Sequence, residues 1–181
     1  MDSLFLLQFA CFIFMLVNAL FVALSHLHVR WENKRYERSR WMIVVALLGL
    51  AIQYVIQMGF GFRAADDSLG AVVNILVYTP CFSLISMGIY NIETTRSNLR
   101  KMILMCSGIY AAIIVVFFVG ISLHHSLYIR EGLYIMLALF CVSVIYCISM
   151  IVREMIRRRN LLETMAATDI LPYVSHNKIF Y

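Results

Sequence analysis

Five uninterrupted apolar runs set the pattern of this chain: Leu4–Leu24, Trp41–Phe60, Ala71–Tyr90, Met102–Ser122 and Gly132–Val152 contain no Asp, Glu, Lys, Arg or His. A helix rising about 1.5 Å per residue crosses the hydrocarbon core of a bilayer in about 20 such residues. The runs are too long and continuous for the short, alternating strands of a membrane barrel. With only 2 prolines and 8 glycines in 181 residues, little breaks the helical reading. The pattern predicts an all-α, polytopic integral membrane protein. Its transmembrane domain occupies 1–152, with spans at about 4–24, 41–60, 71–90, 102–122 and 132–152, and a basic tail covers 153–181.

Composition sharpens this picture without changing it: 62% hydrophobic residues, 14% charged and a mean hydropathy of +0.84 exceed what a water-soluble core can hide. Charge then supplies orientation. All but Arg63 and Arg130 of the 15 Lys and Arg residues fall in the first connection, the third connection or the tail. Loops that stay in the cytoplasm keep their basic residues, so the second and fourth connections are expected outside, with the N-terminus outside and the C-terminus inside. Met1-Asp2-Ser3 carries an acid where a secretory signal carries positive charge, and the first run is read as an uncleaved span. The expected home is the inner (cytoplasmic) membrane of a cell. The excess positive charge needs no nucleic acid to account for it. Arg30, Lys34, Arg35, Arg38 and Arg40, and Arg157, Arg158 and Arg159 of the tail, are expected at lipid headgroups, with their stems snorkelling beside Trp31, Tyr36 and Trp41.

Inside the spans only uncharged polar groups remain, and each needs a partner in hydrocarbon. Gln8 and Asn18 lie in the first span. Gln53 and Gln57 share one face of the second at i, i+4, and Asn74 and Tyr78 repeat that spacing in the third. These four are expected to form a polar seam, either as interhelical glue or as the lining of a ligand pocket. Pro80 interrupts the backbone ladder in mid-span and is a candidate hinge. Gly108 and Ala112 form a small-xxx-small pair that suits close helix packing, within the chain or between copies.

The same emptiness of the spans removes most catalytic chemistry. No histidine pair lies at membrane depth to ligate haem, no paired carboxylates or H-E-x-x-H appear, and ion-coupled transport lacks its ionisable groups. The five cysteines, Cys11, Cys81, Cys106, Cys141 and Cys147, all fall within spans with no C-x-x-C, and read as small buried side chains. Asp66-Asp67 supplies too few oxygens for a calcium loop, and His124-His125 reads as solvated loop. The chain is therefore expected to be no enzyme and to hold no metal or cofactor.

Beyond Val152 no glycine or proline interrupts the sequence before Pro172, and the last helix is expected to continue to about residue 167. Ile148, Met155 and Leu162 recur every seven residues along it. The run RWENKRYERSRWMIVVALLGLAIQYVIQMGFGFRA, the later GAVVNILVYTPCFSLISMGIYNIE and the tail's ILPYV resemble the multi-helix membrane region of Bacteroidetes-type membrane regulators. That resemblance implies a cytoplasmic output domain, either a helix-turn-helix domain or a histidine-kinase core. These 181 residues contain neither a recognition helix nor a phosphoacceptor helix, so an attached or partner output domain is expected to act for it. For such a module a homodimer is the default expectation, with membrane lipids as the other partner and no direct contact of this chain with nucleic acid. Two functional classes follow. One is a sensory module that reports through its tail helix, and the other a small-solute transporter or accessory subunit of a membrane complex.

Overall fold

The computed structural model describes residues 3–25, 34–61, 67–93, 99–124 and 130–177, with the side chains beyond Thr164 left out of the description. It is all-α. The helices are α1 (Ser3–Leu24), α2 (Lys34–Phe60), α3 (Asp67–Glu93), α4 (Leu99–His124) and α5 (Arg130–Asn177). Each contains one of the five apolar runs, and all five are long and apolar enough to cross a membrane.

The helices start and stop where backbone chemistry allows. α2 ends on Gly61, whose φ of 60° lies in the left-handed region and whose N–H donates to the Gln57 carbonyl at 3.0 Å. This bond, from the residue beyond the cap to the carbonyl four before it, closes one of the ladder's orphan acceptors, and only glycine adopts that backbone without strain. α5 behaves differently from the sequence expectation: it does not stop near residue 167 but runs through Pro172 to Asn177. A proline inside a helix removes one backbone bond and crowds one carbonyl, and it need not terminate a helix already nucleated upstream. The 171–177 segment is thus the last part of α5 rather than the start of another element.

Packing follows the chain order at first and then folds back. α1 lies on α2, α2 on α3, and α3 also carries α4 and α5, which pack on each other. α3 is the most buried span and α1 the least. Two apolar layers fill the α3–α4–α5 unit. One gathers Val72, Ile75, Ile113 and Met136, and the other Met87, Tyr90, Leu99, Met102, Cys106 and Cys147. Elsewhere large apolar side chains such as Phe14, Phe21, Phe60, Leu104, Phe118 and Ile145 are exposed, a surface compatible with a membrane protein.

α2 and α3 approach closely at two glycines. A Cβ on Gly88 would lie 2.8 Å from Ile43 Cγ1 and 3.0 Å from the Ser39 carbonyl oxygen, and one on Gly49 would lie 2.9 Å from Cys81 Sγ. The two backbones approach because these positions lack side chains. At Gly108, by contrast, an added Cβ would meet nothing within 4 Å, so the glycine of the small-xxx-small pair is not used for close packing within this chain.

Candidate functional site: uncharged polar clusters and a proline cleft

The helical register of α2 directs Gln53 and Gln57 at α3, and the structure joins them there to Asn74. Asn74 Oδ1 accepts a hydrogen bond from Gln53 Nε2 at 3.1 Å and a second from Gln57 Nε2. Gln57 Oε1 in turn accepts from Gln8 Nε2 of α1 at 3.3 Å, so four amides link three helices. Gln8, Gln53 and Gln57 are all buried, and Gln53 Oε1 has no partner. Tyr78 stands beside this network rather than in it, donating to the Tyr54 hydroxyl at 3.5 Å. Asn18 bonds back onto its own helix at the Phe14 carbonyl, 2.7 Å away, and takes no part. The cluster lies toward the ends of α2 and α3 that flank Gly61 and is made wholly of neutral groups.

A second polar cluster lies toward the other end of α2 and α3. Asn91 is buried, and its Nδ2 donates to Ser39 Oγ at 2.7 Å and to the Arg35 carbonyl at 3.2 Å. Arg35 Nε returns a bond to Asn91 Oδ1 at 3.4 Å. On the neighbouring face of α2, Arg40 donates to the Ala23 carbonyl in the last turn of α1 at 3.1 Å and pairs with Glu37 at 2.8 Å. A cation at a helix C-terminus meets both orphan carbonyls and the negative end of the helix dipole. Arg35 and Arg40, expected at headgroups, thus bond within the bundle: α2 begins at Lys34, and its register turns 35 and 39 toward α3 and 36 and 40 toward α1. Lys34 and Arg38, on the remaining face, are exposed, and Arg30 lies outside the described residues. In the tail, Arg158 is exposed, Arg157 pairs with the buried Glu154 at 2.5 Å, and Arg159 pairs with Glu163 at 2.8 Å.

Pro80 lies within α3 without ending it. Having no N–H, it leaves the Leu76 carbonyl without its ladder donor. Tyr110 of α4 donates its hydroxyl to that carbonyl at 3.1 Å. Thr79 bonds the neighbouring Ile75 carbonyl at 2.6 Å. The proline is therefore latched by α4 at its weakest point. Beside it a partly open cleft of about 370 Å³ is lined by Met42, Pro80, Ser83, Met87, Cys106 and Tyr110, among others. Replacing Tyr110 by phenylalanine is expected to orphan the Leu76 carbonyl and to cost about 1–2 kcal/mol, read as unfolding free energy in bicelles. Replacing Tyr110 by phenylalanine together with Pro80 by alanine restores the ladder, and the loss should largely disappear.

Sequence reasoning missed Tyr110, Ser39 and Asn91. A proline in a span announces an orphan carbonyl four residues back, which signals that some hydroxyl is wanted, but not which helix brings it. Among the described residues no group of three or more His, Cys, Asp or Glu gathers in metal-binding distance. The side chains of Asp66-Asp67 and His124-His125 lie outside the described residues. No protein-family model, curated protein or solved structure matches this chain.

Proposed function

We propose that the chain is a non-enzymatic sensory or signalling module of a bacterial inner membrane, N-terminus outside and C-terminus in the cytoplasm. Its last helix relays a change in the membrane domain to an attached or partner output domain. The observation that carries this reading is α5, one unbroken helix from Arg130 to Asn177 that packs on α3 and α4 and then leaves the bundle. α3, the helix it rests on, holds Asn74 near one end, Pro80 in the middle and Asn91 near the other. A displacement at the amide cluster thus has a rigid, partly latched route to the base of the tail. Rigid helices pass on movement only if two arrangements exist, and Pro80 with its Tyr110 latch is the element that can supply them. The resemblance to membrane regulators points the same way.

The transporter reading has less in its favour. The amides bond to one another, with Gln53 Oε1 alone left over among their described bonds, and the cleft's lining does not include Gln53, Gln57 or Asn74.

The relay is tested with spin labels at Lys34 and Leu161 of the full chain in lipid nanodiscs. Opening the latch with Tyr110→Phe, or cutting the amide hub with Asn74→Leu, is expected to shift or broaden the interspin distance. An unchanged distribution with both variants folded would contradict it.

A further inference from the structure

The cleft beside Pro80 is floored by α3 and flanked by Met42 of α2 on one side and by Ile103, Ser107 and Tyr110 of α4 on the other. Its few polar groups are engaged or covered. Tyr110 donates its hydroxyl to the Leu76 carbonyl at 3.1 Å, Ser107 donates to the Leu104 carbonyl of its own helix at 3.1 Å, and the Ser83 hydroxyl is buried. What the cleft offers is hydrocarbon. Ile103 and Ser107 on its rim are exposed, so it opens onto the outer surface of the bundle. A volume of about 370 Å³ spread along Pro80–Met87, about 10 Å of helix, gives a section of about 35 Å². That is too narrow for a helix about 10 Å across and suits one extended acyl chain.

Helical register places positive charge at one end of this cleft. On α2, Lys34 and Arg38 precede Met42 at four-residue steps, on the flank turned away from α1, and both are exposed. On α4, Arg100 precedes Ile103 by three residues and Ser107 by seven, and it too is exposed. This is the end at which α2 and α4 begin and α3 finishes. Among the described residues, none of these three cations pairs with an acid. The lengths agree as well: from Arg100 to Tyr110 α4 rises about 15 Å, the depth of one leaflet in a hydrocarbon core about 30 Å thick. Tyr110 and Pro80, the lining residues farthest from the charged end, thus stand where a chain entering from that end reaches the bilayer midplane.

We propose that the cleft seats one acyl chain of an anionic phospholipid whose phosphate lies between Arg38 and Arg100. A phospholipid carries its negative charge at headgroup depth and its hydrocarbon directly below, and the surface presents cations and an apolar trough in that same order. A second copy of the chain would bring the same positive charges to this end and be repelled. The inference rests on the helices crossing a bilayer and not on the signalling reading, so its failure would leave the relay untouched.

The test titrates the full chain in detergent with phosphatidylglycerol and with phosphatidylcholine of identical acyl chains, and counts bound lipids by native mass spectrometry. One phosphatidylglycerol per chain is expected to bind about tenfold more tightly than phosphatidylcholine, the worth of two exposed ion pairs. Arg38→Gln with Arg100→Gln should erase that preference, whereas Lys101→Gln, on the opposite face of α4, should keep it. Ser107→Trp, which sets a ring in the mouth of the cleft, should weaken both lipids by about tenfold or more. All four positions are exposed, and circular dichroism would verify that the variants fold. The proposal is overturned if the two lipids bind alike, if the paired arginine change has no effect, if glycerol phosphate without acyl chains displaces the lipid, or if Ser107→Trp dissociates a dimer and leaves lipid binding unchanged.

Discussion

Replacing Gly88 by leucine is expected to cost about 3 kcal/mol, whereas the same change at Gly108 should leave the fold within about 0.5 kcal/mol of its original stability. The asymmetry follows from what each side chain would meet. At Gly88 the first atom already presses on Ile43 and on a backbone oxygen of α2, and backbone cannot step aside as a flexible side chain can. α2 and α3 would have to separate, loosening the Ser39–Asn91 bond beside them. At Gly108 there is open space. Unfolding of both variants in bicelles measures the difference, and equal effects would contradict the packing described. If two copies associate through the Gly108–Ala112 face, Gly108→Leu should instead reduce the dimer fraction seen by light scattering while each protomer stays folded.

The second large effect is expected at Asn74. Its carbonyl oxygen is the acceptor for both Gln53 and Gln57, so Asn74→Leu removes two interhelical bonds and strands two buried amide donors. Hydrogen bonds between membrane helices average about 0.6 kcal/mol, with a maximum near about 1.7. Two such bonds and the cost of stranded donors predict a loss of about 2 kcal/mol. A double-mutant cycle of Gln57→Leu with Asn74→Leu isolates their shared term, expected near 1 kcal/mol, well above the error of such cycles. Gln8→Leu should cost less, because Gln57 keeps its bond to Asn74 when the α1 amide is lost. Additive effects of Gln57→Leu and Asn74→Leu would show that the amides do not act together.

The spans were legible because hydrophobic length is a one-dimensional property: each apolar run lies inside one helix of the structure. The Gln53–Gln57 and Asn74–Tyr78 spacings were legible for a similar reason, since an i, i+4 pair shares a face wherever the helix goes. That the faces of Gln53, Gln57 and Asn74 meet was not in the sequence, and Tyr78 pairs with Tyr54 instead. Neighbour choice explains the other differences. Gly49 and Gly88 make the close approaches without belonging to a small-xxx-small pair, while Gly108, which does belong to one, packs against nothing. The motif reports that a backbone can approach, but approach needs a partner at that depth. Arg40 reads from composition as a headgroup residue, and only the packing of α2 on α1 brings it to the Ala23 carbonyl at the end of α1. Cys106 and Cys147 are 41 residues apart, and only the α4–α5 packing brings the two thiols side by side.

The orientation of the bundle carries the functional account, because a relay needs its tail helix in the cytoplasm. Single cysteines are introduced at Ser3, Ser68 and Thr164 in a chain whose five native cysteines are replaced by serine, and intact cells are treated with a membrane-impermeant maleimide. The account predicts labelling at positions 3 and 68 from outside and at 164 only after permeabilisation; labelling of 164 in intact cells, with 3 and 68 protected, would contradict it.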